Sequence, residues 1–285
     1  MEDFLINING QIHNGPEAQI SVFDRGFLYG DSVYEATRTF NKKPFRIDQH
    51  IERLFQSAEK ISLTPTFSRE QILSEVLKTI HAGSASDATV RIVLTRGTNS
   101  DLGLDPELSG PNNLIIFTKE IKPNPAWWIA DGVSMIFFQK KIEASGSLPK
   151  TGNYQENILA HKEAHAQKAY DAFLVNTHGF VTEGTTSNAW IIKDGVLYTP
   201  PLKDGVLDGL TRRALLEMAK RQKIILPLIE KSLNKDDFRN CDECFITSTT
   251  RNIVPVTKIE GRNVGSGSPG VMTLELLKQY LEFVN

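Results

Sequence analysis

The sequence predicts an α+β protein with two domains. With 285 residues, the chain can bury one large or two modest cores. Stretches that alternate with a period of two residues, as in strands, are mixed with stretches of helical spacing. The segment 122–125 has two prolines in four residues, which resist both helix and central strand. We therefore predict a small α+β domain over 1–121, a linker over 122–131 and a larger domain over 132–285.

The small domain begins with a predicted hairpin over 4–13 around an Asn-Gly turn. Residues 32–40 alternate as a strand, which returns through a turn at 41–44. One face of this strand carries Tyr34, Ala36 and Arg38, and the other face carries Val33, Glu35, Thr37 and Thr39. The first of these faces could line a site.

Two helices are predicted next. Asp48 is suited to cap a helix that continues through Ser62, and Ser68 with Gln71 forms a capping box for a second helix. Residues 90–95 and 114–117 then have the patterns of strands. In the larger domain we expect strands over 133–138, 172–176, 189–196 with an Asp-Gly turn, and 244–248, and helices near 157–168, 211–221 and 271–283.

Composition favours a small-molecule partner. The formal net charge is −2, with 32 basic and 34 acidic side chains, so no strong field is available to bind nucleic acid or anionic lipid. The acidic start and the absence of a long apolar run predict a cytoplasmic protein with no membrane partner. Cys241 and Cys244 have C-x-x-C spacing, but two ordinary cysteines at the edge of a buried strand are the favoured interpretation.

Two further motifs are set aside. The run GSGSPG over 265–270 has the glycine spacing of a dinucleotide-binding turn, but only a short tail follows it, so a solvated loop is favoured. His161 and His165 share a helix face like a zinc pair, but Glu163 is not where H-E-x-x-H chemistry needs it. We predict no metal site.

The chemically informative segment is LPKTGNYQENILAHKEA over 148–164, which places Lys150 in an irregular stretch before a helix, four residues ahead of Tyr154. Most lysines are solvated surface charges, and Lys140 and Lys141 are competitors. In GVLDGLTRR, Thr211 stands where a helix begins, so amides and the helix dipole could bind an anion such as phosphate. Residues 248–250 offer hydroxyls and amides at a strand end.

Together these segments resemble the class IV aminotransferases, which are fold-type-IV enzymes dependent on pyridoxal 5'-phosphate (PLP). The likeness extends from VFDRGFLYGDSVYEATRTF and RIDQHIERL, through FVTEGTTSNAWI and ECFITSTTRNIVPV, to PGVMTLELL. The resemblance implies a small α/β domain and a larger domain with a β-barrel-like core. It also implies at least a homodimer, in which each active site receives loop residues from the neighbouring subunit.

The resemblance also implies residue roles. Lys150 is the catalytic lysine that bonds the cofactor as a Schiff base and then moves the proton, and Glu183 keeps the pyridine nitrogen protonated. Arg53 holds the phosphate, and Tyr154 neighbours the phenolic oxygen. The remaining cofactor-binding positions are Asn188, Leu207, Leu210, Thr211, Ser248 and Thr249.

The substrate is ambiguous at this stage. Candidate substrate-binding residues are Tyr34, Arg38, Arg91, Thr250 and Arg251. Branched-chain L-amino acids with 2-oxoglutarate as acceptor are the leading prediction, because Arg38, Arg91 and the loop TRGTNSDLGLDP resemble the branched-chain site. A D-amino-acid aminotransferase is the alternative and aminodeoxychorismate lyase the third, although no histidine lies between His81 and His161 to form the carboxylate trap typical of the D-amino-acid branch. Arg251 replaces a small residue, and it could bind a substrate carboxylate or form an ion pair.

Overall fold

The computed structural model describes residues 3–141, 146–224 and 226–284. The chain divides into two compact units. The first unit runs to Lys122 and also includes Pro149–Asn153, and the second contains Pro123–Leu148 and the chain from Tyr154 onward. Residues 127–130 form a helix of the second unit. Residues Pro149–Asn153 belong to the first unit, in which Thr151 forms a bridge with Val33.

The first unit is an antiparallel sheet with helices. Its strands are β1 (Phe4–Ile8), β2 (Gln11–Asn14), β3 (Ser32–Phe40), β4 (Lys43–Pro44), β5 (Ala88–Thr95) and β6 (Leu114–Glu120). Its helices are α1 (Arg25–Tyr29), α2 (Ile47–Lys60) and α3 (Arg69–Ala82), with 3-10 turns at Gly15–Glu17 and Pro106–Leu108. The strands follow the order β2-β1-β6-β5-β3-β4 within the described residues.

Local chemistry explains most of these elements. Asn9 and Gly10 both have positive φ (52° and 91°), as a two-residue hairpin turn requires. The capping box of Ser68 and Gln71 is confirmed at the start of α3. The expected cap at Asp48 is wrong, because the N-cap is Arg46, two residues earlier and in a left-handed conformation. Asp48 lies in the first turn of α2, where its charge suits the helix dipole. Apolar residues of α2, α3, β3, β5 and β6 form the core of this unit.

The second unit contains a closed barrel. Its strands are β7 (Val133–Gln139), β8 (Asp171–Val175), β9 (Phe180–Gly184), β10 (Asn188–Lys193), β11 (Val196–Thr199), β12 (Leu228–Glu230), β13 (Leu233–Asn234), β14 (Glu243–Ser248), β15 (Asn252–Ile259) and β16 (Arg262–Asn263). Its helices are α4 (Trp127–Ala130), α5 (Gln155–Ala166), α6 (Leu210–Lys220), α7 (Lys235–Arg239) and α8 (Val271–Val284), with a 3-10 turn at Leu202–Asp204.

The barrel closes through one pairing. Strands β10, β14, β15, β7, β8 and β9 follow one another in the sheet, and β9 pairs back to β10 at Glu183 and Asn188. Among the described residues this makes a six-stranded ring, so the barrel-like core is confirmed. Its interior is filled by apolar side chains that include Phe173, Phe238 and Ile246. The closure brings residues 183 and 188 side by side at one end of the barrel.

Several elements were not predicted from the sequence, namely β9, β12, β13, β15 and β16 and the short helices α1, α4 and α7. The predicted strand over 189–196 is a hairpin of β10 and β11, with its turn at the expected Asp194 and Gly195. Within the described ranges no helix combines the length and apolarity needed to cross a bilayer.

The glycine run over 265–270 leads into α8. The amides of Met272 and Thr273 in the first turn of this helix donate to the Glu243 carboxylate at 3.0 and 2.7 Å. A side chain of the same chain therefore satisfies this helix start, as the loop interpretation expects.

Candidate active site

Lys150 lies along the open edge of β3, beyond the short partner strand β4. Its carbonyl accepts a hydrogen bond from the Tyr34 amide (2.9 Å), and its own amide donates to Ser57 Oγ on α2 (3.1 Å). The Nζ atom lies 4.4 Å from the centroid of the Tyr34 ring. The backbone of Lys150 is therefore fixed on both sides, and its amine has a defined aromatic neighbour.

Tyr34, Arg38 and Arg91 share one face of the sheet, as the alternation predicts. Arg91 pairs with Ala36 across β3 and β5, and its Cζ lies 4.0 Å from the centroid of the Tyr34 ring. Two cations, Arg91 and Lys150, therefore contact the same buried ring. Arg38 instead makes a long ion pair with Asp87 (3.8 Å) and stacks on Phe40.

The opposite face carries a buried charged cluster of Glu35, His50 and Arg53. Arg53 Nε and Nη2 donate to the two carboxylate oxygens of Glu35 at 2.6 and 2.7 Å, and His50 Nδ1 lies 2.7 Å from Glu35 Oε2. Burial alone would raise the pKa of Glu35, but the charge and hydrogen bonds of Arg53 and His50 outweigh it and lower this pKa to about 2. Arg53, the expected phosphate ligand, is therefore held in a fixed orientation by an ionised carboxylate.

His50 is fully buried, and burial lowers the pKa of its imidazole despite the opposing effect of Glu35. Its Nε2 atom has no hydrogen-bond partner within the described part of the chain. The sequence analysis missed Glu35 and His50 as members of the site. A signal for both was present, because alternation places the Glu35 charge on the buried face of β3, and His50 and Arg53 lie three residues apart on the facing helix.

In the second unit, Glu183 and Asn188 together hold the turn before α6. Glu183 Oε2 accepts from the Leu207 amide (3.1 Å), and Asn188 Nδ2 donates to the Leu207 carbonyl (2.8 Å). Glu183 and Asn188 are paired where the barrel closes. The closure of the barrel therefore fixes both the amide and the carbonyl of Leu207. A Cβ atom added at Gly209 would lie 2.0 Å from Asn188 Oδ1, so a larger residue at this position would displace the Asn188 side chain.

The start of α6 has the features of an anion site. Its N-cap residue, Gly209, has no side chain that could accept hydrogen bonds from the first amides of the helix. Thr211 is 1% exposed, and its hydroxyl has no hydrogen-bond partner among the described residues. Leu210 is also buried there. A buried hydroxyl without a partner, beside the positive end of a helix, suits a bound phosphate.

The turn between β14 and β15 carries Ser248, Thr249, Thr250 and Arg251, all partly exposed.

Tyr154 directly precedes α5 and lines a cavity of about 470 Å³ in the second unit together with Arg251, Thr186, Tyr170 and the histidine pair. The rings of His161 and His165 lie 4.2 Å apart, and His161 Nδ1 contacts Asp171 at 3.4 Å, in agreement with a surface and packing role.

The first unit therefore holds a lysine amine beside a buried aromatic ring, and the second unit has a helix start whose features suit an anion. A sequence profile described as "Amino-transferase class IV" matches residues 32–259. A protein of Methanocaldococcus jannaschii, provisionally named a branched-chain-amino-acid aminotransferase, is 36% identical over 278 residues, covering 96% of this chain and 94% of that protein.

Two further relatives point to the same family. The D-alanine aminotransferase of Bacillus licheniformis is 33% identical, covering 93% of this chain and 92% of that protein. The crystal structure of the T.th. branched-chain amino acid aminotransferase with pyridoxamine 5'-phosphate has a TM-score of 0.89 and 27% identity, covering 98% of this chain and 94% of that one.

The chain belongs to the class IV aminotransferases, and it is a PLP-dependent enzyme with the fold of that family. The residues present fit the cofactor. The uncapped start of α6 and the buried Thr211 hydroxyl without a partner among the described residues suit its phosphate.

Proposed function

We propose that the protein transfers the amino group of branched-chain L-amino acids to 2-oxoglutarate. The observation that carries this proposal is the arrangement around Tyr34, where Arg91 and the Lys150 amine lie 4.0 and 4.4 Å from one ring. A guanidinium can bind a substrate carboxylate beside the amine that moves the proton, and the aromatic ring offers an apolar wall for an aliphatic side chain. The name of the Methanocaldococcus jannaschii relative supports the same substrate class.

Lys150 is the proposed catalytic residue. When bound, PLP supplies an electron-accepting ring that stabilises charge at the substrate Cα. In this role the Lys150 amine would take the proton from the substrate Cα and would donate it to the C4' carbon of the bound cofactor, which needs an unprotonated amine held in place. The hydrogen bonds from its backbone to Tyr34 and Ser57 hold the residue in place for this role.

The other roles are proposed by family likeness. Glu183 supplies the carboxylate for the pyridine nitrogen, and its bond to the Leu207 amide orients that carboxylate. Tyr154 contacts the phenolic oxygen, and Leu207, with Asn188 behind it, packs on the ring. The proposed phosphate ligands are Arg53, Leu210, Thr211, Ser248 and Thr249. The proposed substrate contacts are Tyr34, Arg38, Arg91 and Thr250.

The Lys150 proposal is tested by borohydride reduction of the yellow enzyme followed by peptide mapping. The phosphopyridoxyl group should appear on the peptide that contains Lys150, and Lys150→Ala should abolish transamination. Lys140→Ala is a matched control, because Lys140 is a nearby lysine that pairs with Glu156 at 3.9 Å. An adduct on Lys140 or Lys141 would contradict the assignment.

A D-amino-acid aminotransferase is the second candidate function, because D-alanine aminotransferases cover nearly the whole chain at 31% to 34% identity. The two candidates differ in which hand of substrate removes the absorbance of the lysine-bound cofactor. L-Isoleucine, L-glutamate, D-alanine and D-glutamate would each be mixed with the holoenzyme in single-turnover experiments. A response to D-alanine and none to L-isoleucine would reverse the proposal.

We also propose a homodimer or higher homo-oligomer. The first unit exposes apolar side chains on and just before α1 and in the loop after β5, namely Val22, Phe23, Phe27, Leu102 and Leu104, which are 49% to 75% exposed. An apolar patch of this kind marks an association surface. Sedimentation velocity should show a dimer or larger species that Leu104→Asp dissociates. A wild-type monomer at micromolar concentration would refute this proposal.

The expected cytoplasmic location also stays a proposal, tested by cell fractionation.

A further inference from the structure

Arg251 is the residue that departs most clearly from the family pattern, and its guanidinium is engaged inside the second unit. Its Nε donates to Ser248 Oγ (3.0 Å), and its Nη1 donates to the Tyr170 hydroxyl (3.1 Å). Its Nη2 donates to both the carbonyl and the hydroxyl of Thr186, at 2.9 and 2.7 Å. All four acceptors are neutral, so within the described part of the chain this arginine is held by neutral groups and not by the ion pair considered from the sequence.

These bonds join three separate segments of the second unit. Ser248 ends β14, Tyr170 precedes β8, and Thr186 lies between β9 and β10. Tyr170 is itself anchored, because its ring packs edge-on against Trp127 and Trp128 with centroid distances of 6.3 and 5.5 Å. The planar guanidinium of Arg251 is suited to joining three segments, since its five N–H groups point in fixed directions. The Ser248–Thr250 turn is therefore tied to two strand connections rather than left as an independent loop.

The bond to Ser248 also fixes the direction of a hydroxyl proton. A serine hydroxyl has one donor and two acceptor positions. Because Arg251 Nε occupies an acceptor position, the Ser248 proton is free to donate to another acceptor, and the adjacent positive charge strengthens it as a donor. A phosphate oxygen is an acceptor of the required kind.

We propose that Arg251 is a positioning residue that orients the Ser248 hydroxyl toward the cofactor phosphate, and not a ligand of the substrate carboxylate. This inference depends on the phosphate role proposed for Ser248. The two roles of Arg251 predict different measurements. A positioning residue changes the affinity for the phosphorylated cofactor, whereas a substrate ligand changes the KM for substrates that carry the recognised carboxylate.

The test compares equilibrium binding of PLP and of pyridoxal, which lacks the phosphate, to apoenzyme variants. Arg251→Ala should weaken PLP binding about tenfold, as expected for loss of one charge-assisted hydrogen bond, and should leave pyridoxal binding unchanged. Tyr170→Phe keeps the ring and removes the hydroxyl that accepts from Arg251 Nη1, so it should also weaken PLP binding, but by a smaller factor. Arg221→Ala, which removes an exposed arginine paired with Glu217, is the matched control.

A double-mutant cycle with Ser248→Ala completes the test. If Arg251 acts through Ser248, adding Arg251→Ala to Ser248→Ala should cost little further PLP affinity. Unchanged PLP affinity in Arg251→Ala with a raised KM for glutamate would overturn the inference in favour of a substrate ligand. If Ser248→Ala alone left PLP affinity unchanged, the phosphate role of Ser248 would fail, and the positioning role of Arg251 with it. That result would leave the role of Lys150 untouched, since peptide mapping tests it separately.

Discussion

Arg53 binds both oxygens of the Glu35 carboxylate, with Nε–Oε1 and Nη2–Oε2 distances of 2.6 and 2.7 Å, in a site where Glu35 is fully buried. A bidentate pair of this kind fixes the plane of the guanidinium. The two residues come from different elements, β3 and α2, so the pair also joins the helix to the sheet. Glu35 therefore fixes the orientation of the guanidinium that is proposed to hold the phosphate.

We predict that Glu35→Gln destabilises the protein by about 3–5 kcal/mol, because it leaves a buried guanidinium without its charged partner. Urea unfolding of the apoenzyme would measure this change. Glu52→Gln is the control, since the ion pair of Glu52 with Arg69 is exposed and should contribute less than about 1 kcal/mol. Equal losses in the two variants would show that the buried pair is not specially stabilising.

The same cluster predicts loss of stability in acid. Burial lowers the pKa of His50 below its ordinary 6.5, so the unfolded chain binds this proton more readily and stability falls as the pH drops through 6.5. Glu35 has a pKa of about 2 in the fold against an ordinary 4.5. Its contribution is complete above pH 4.5 and is lost as the pH falls from 4.5 toward 2, an effect of up to about 3 kcal/mol.

Unfolding free energies measured at steps between about pH 8 and pH 2 would test this prediction. His50→Gln cannot take up a proton, so its stability should change less than that of the wild type as the pH falls from 6.5 to about 5. Parallel pH curves for the two proteins would show that His50 does not titrate with the expected sign.

Residue patterns predicted those parts of the site that depend on local geometry. The alternation of β3 correctly places Tyr34 and Arg38 on one face, and the pairing of β5 adds Arg91 to it. Tyr170 and Thr186 carried no signal, because their contact with Arg251 is created by barrel closure between segments far apart in sequence. The predicted start of α2 was wrong because nothing in the sequence indicates that Arg46 has a left-handed conformation. Nothing therefore favoured Arg46 over Asp48 as the N-cap.

Gly209→Ala should weaken the turn that precedes α6. The φ of Gly209 is −67°, which alanine adopts without strain, so the cost arises from the contact of its Cβ with Asn188 Oδ1 at 2.0 Å. Asn188 would have to move and lose its bond to the Leu207 carbonyl. We expect a loss of about 1–2 kcal/mol in stability, measured by denaturant unfolding.

Two comparisons isolate this contact. In an Asn188→Ala background the Gly209→Ala substitution should cost much less, because the obstructing oxygen is gone. Gly103→Ala, where the nearest atom to an added Cβ lies 4.0 Å away, should be nearly neutral. If Gly209→Ala costs the same in both backgrounds, the Asn188 contact is not the cause.

Arg25→Ala should loosen the loop that carries part of the apolar patch. The buried Arg25 donates to the carbonyls of Gly103 and Leu104 at 3.2 and 3.1 Å, and its Nε pairs with Asp31 at 2.9 Å. Without it, amide hydrogen exchange over 102–105 should become faster and, if the patch is the association surface, dimer dissociation should increase. Arg25→Lys should retain only part of the protection from exchange, since an ammonium cannot donate in the several fixed directions of the planar guanidinium. Unchanged exchange in this loop would contradict the anchoring role.

Cys241 and Cys244 should be unreactive in the folded protein. Both thiols are buried in the core of the second unit, and burial raises the pKa of Cys244 well above its ordinary 9.0. The Cys244 thiolate is therefore scarce at about pH 8, and burial blocks access to both thiols. A thiol reagent such as DTNB should modify the native enzyme far more slowly than the guanidinium-unfolded chain, in which both cysteines should react. Rapid modification of the native enzyme under the same conditions, with its secondary structure intact by circular dichroism, would instead indicate the exposed, reactive pair that a C-x-x-C redox role requires.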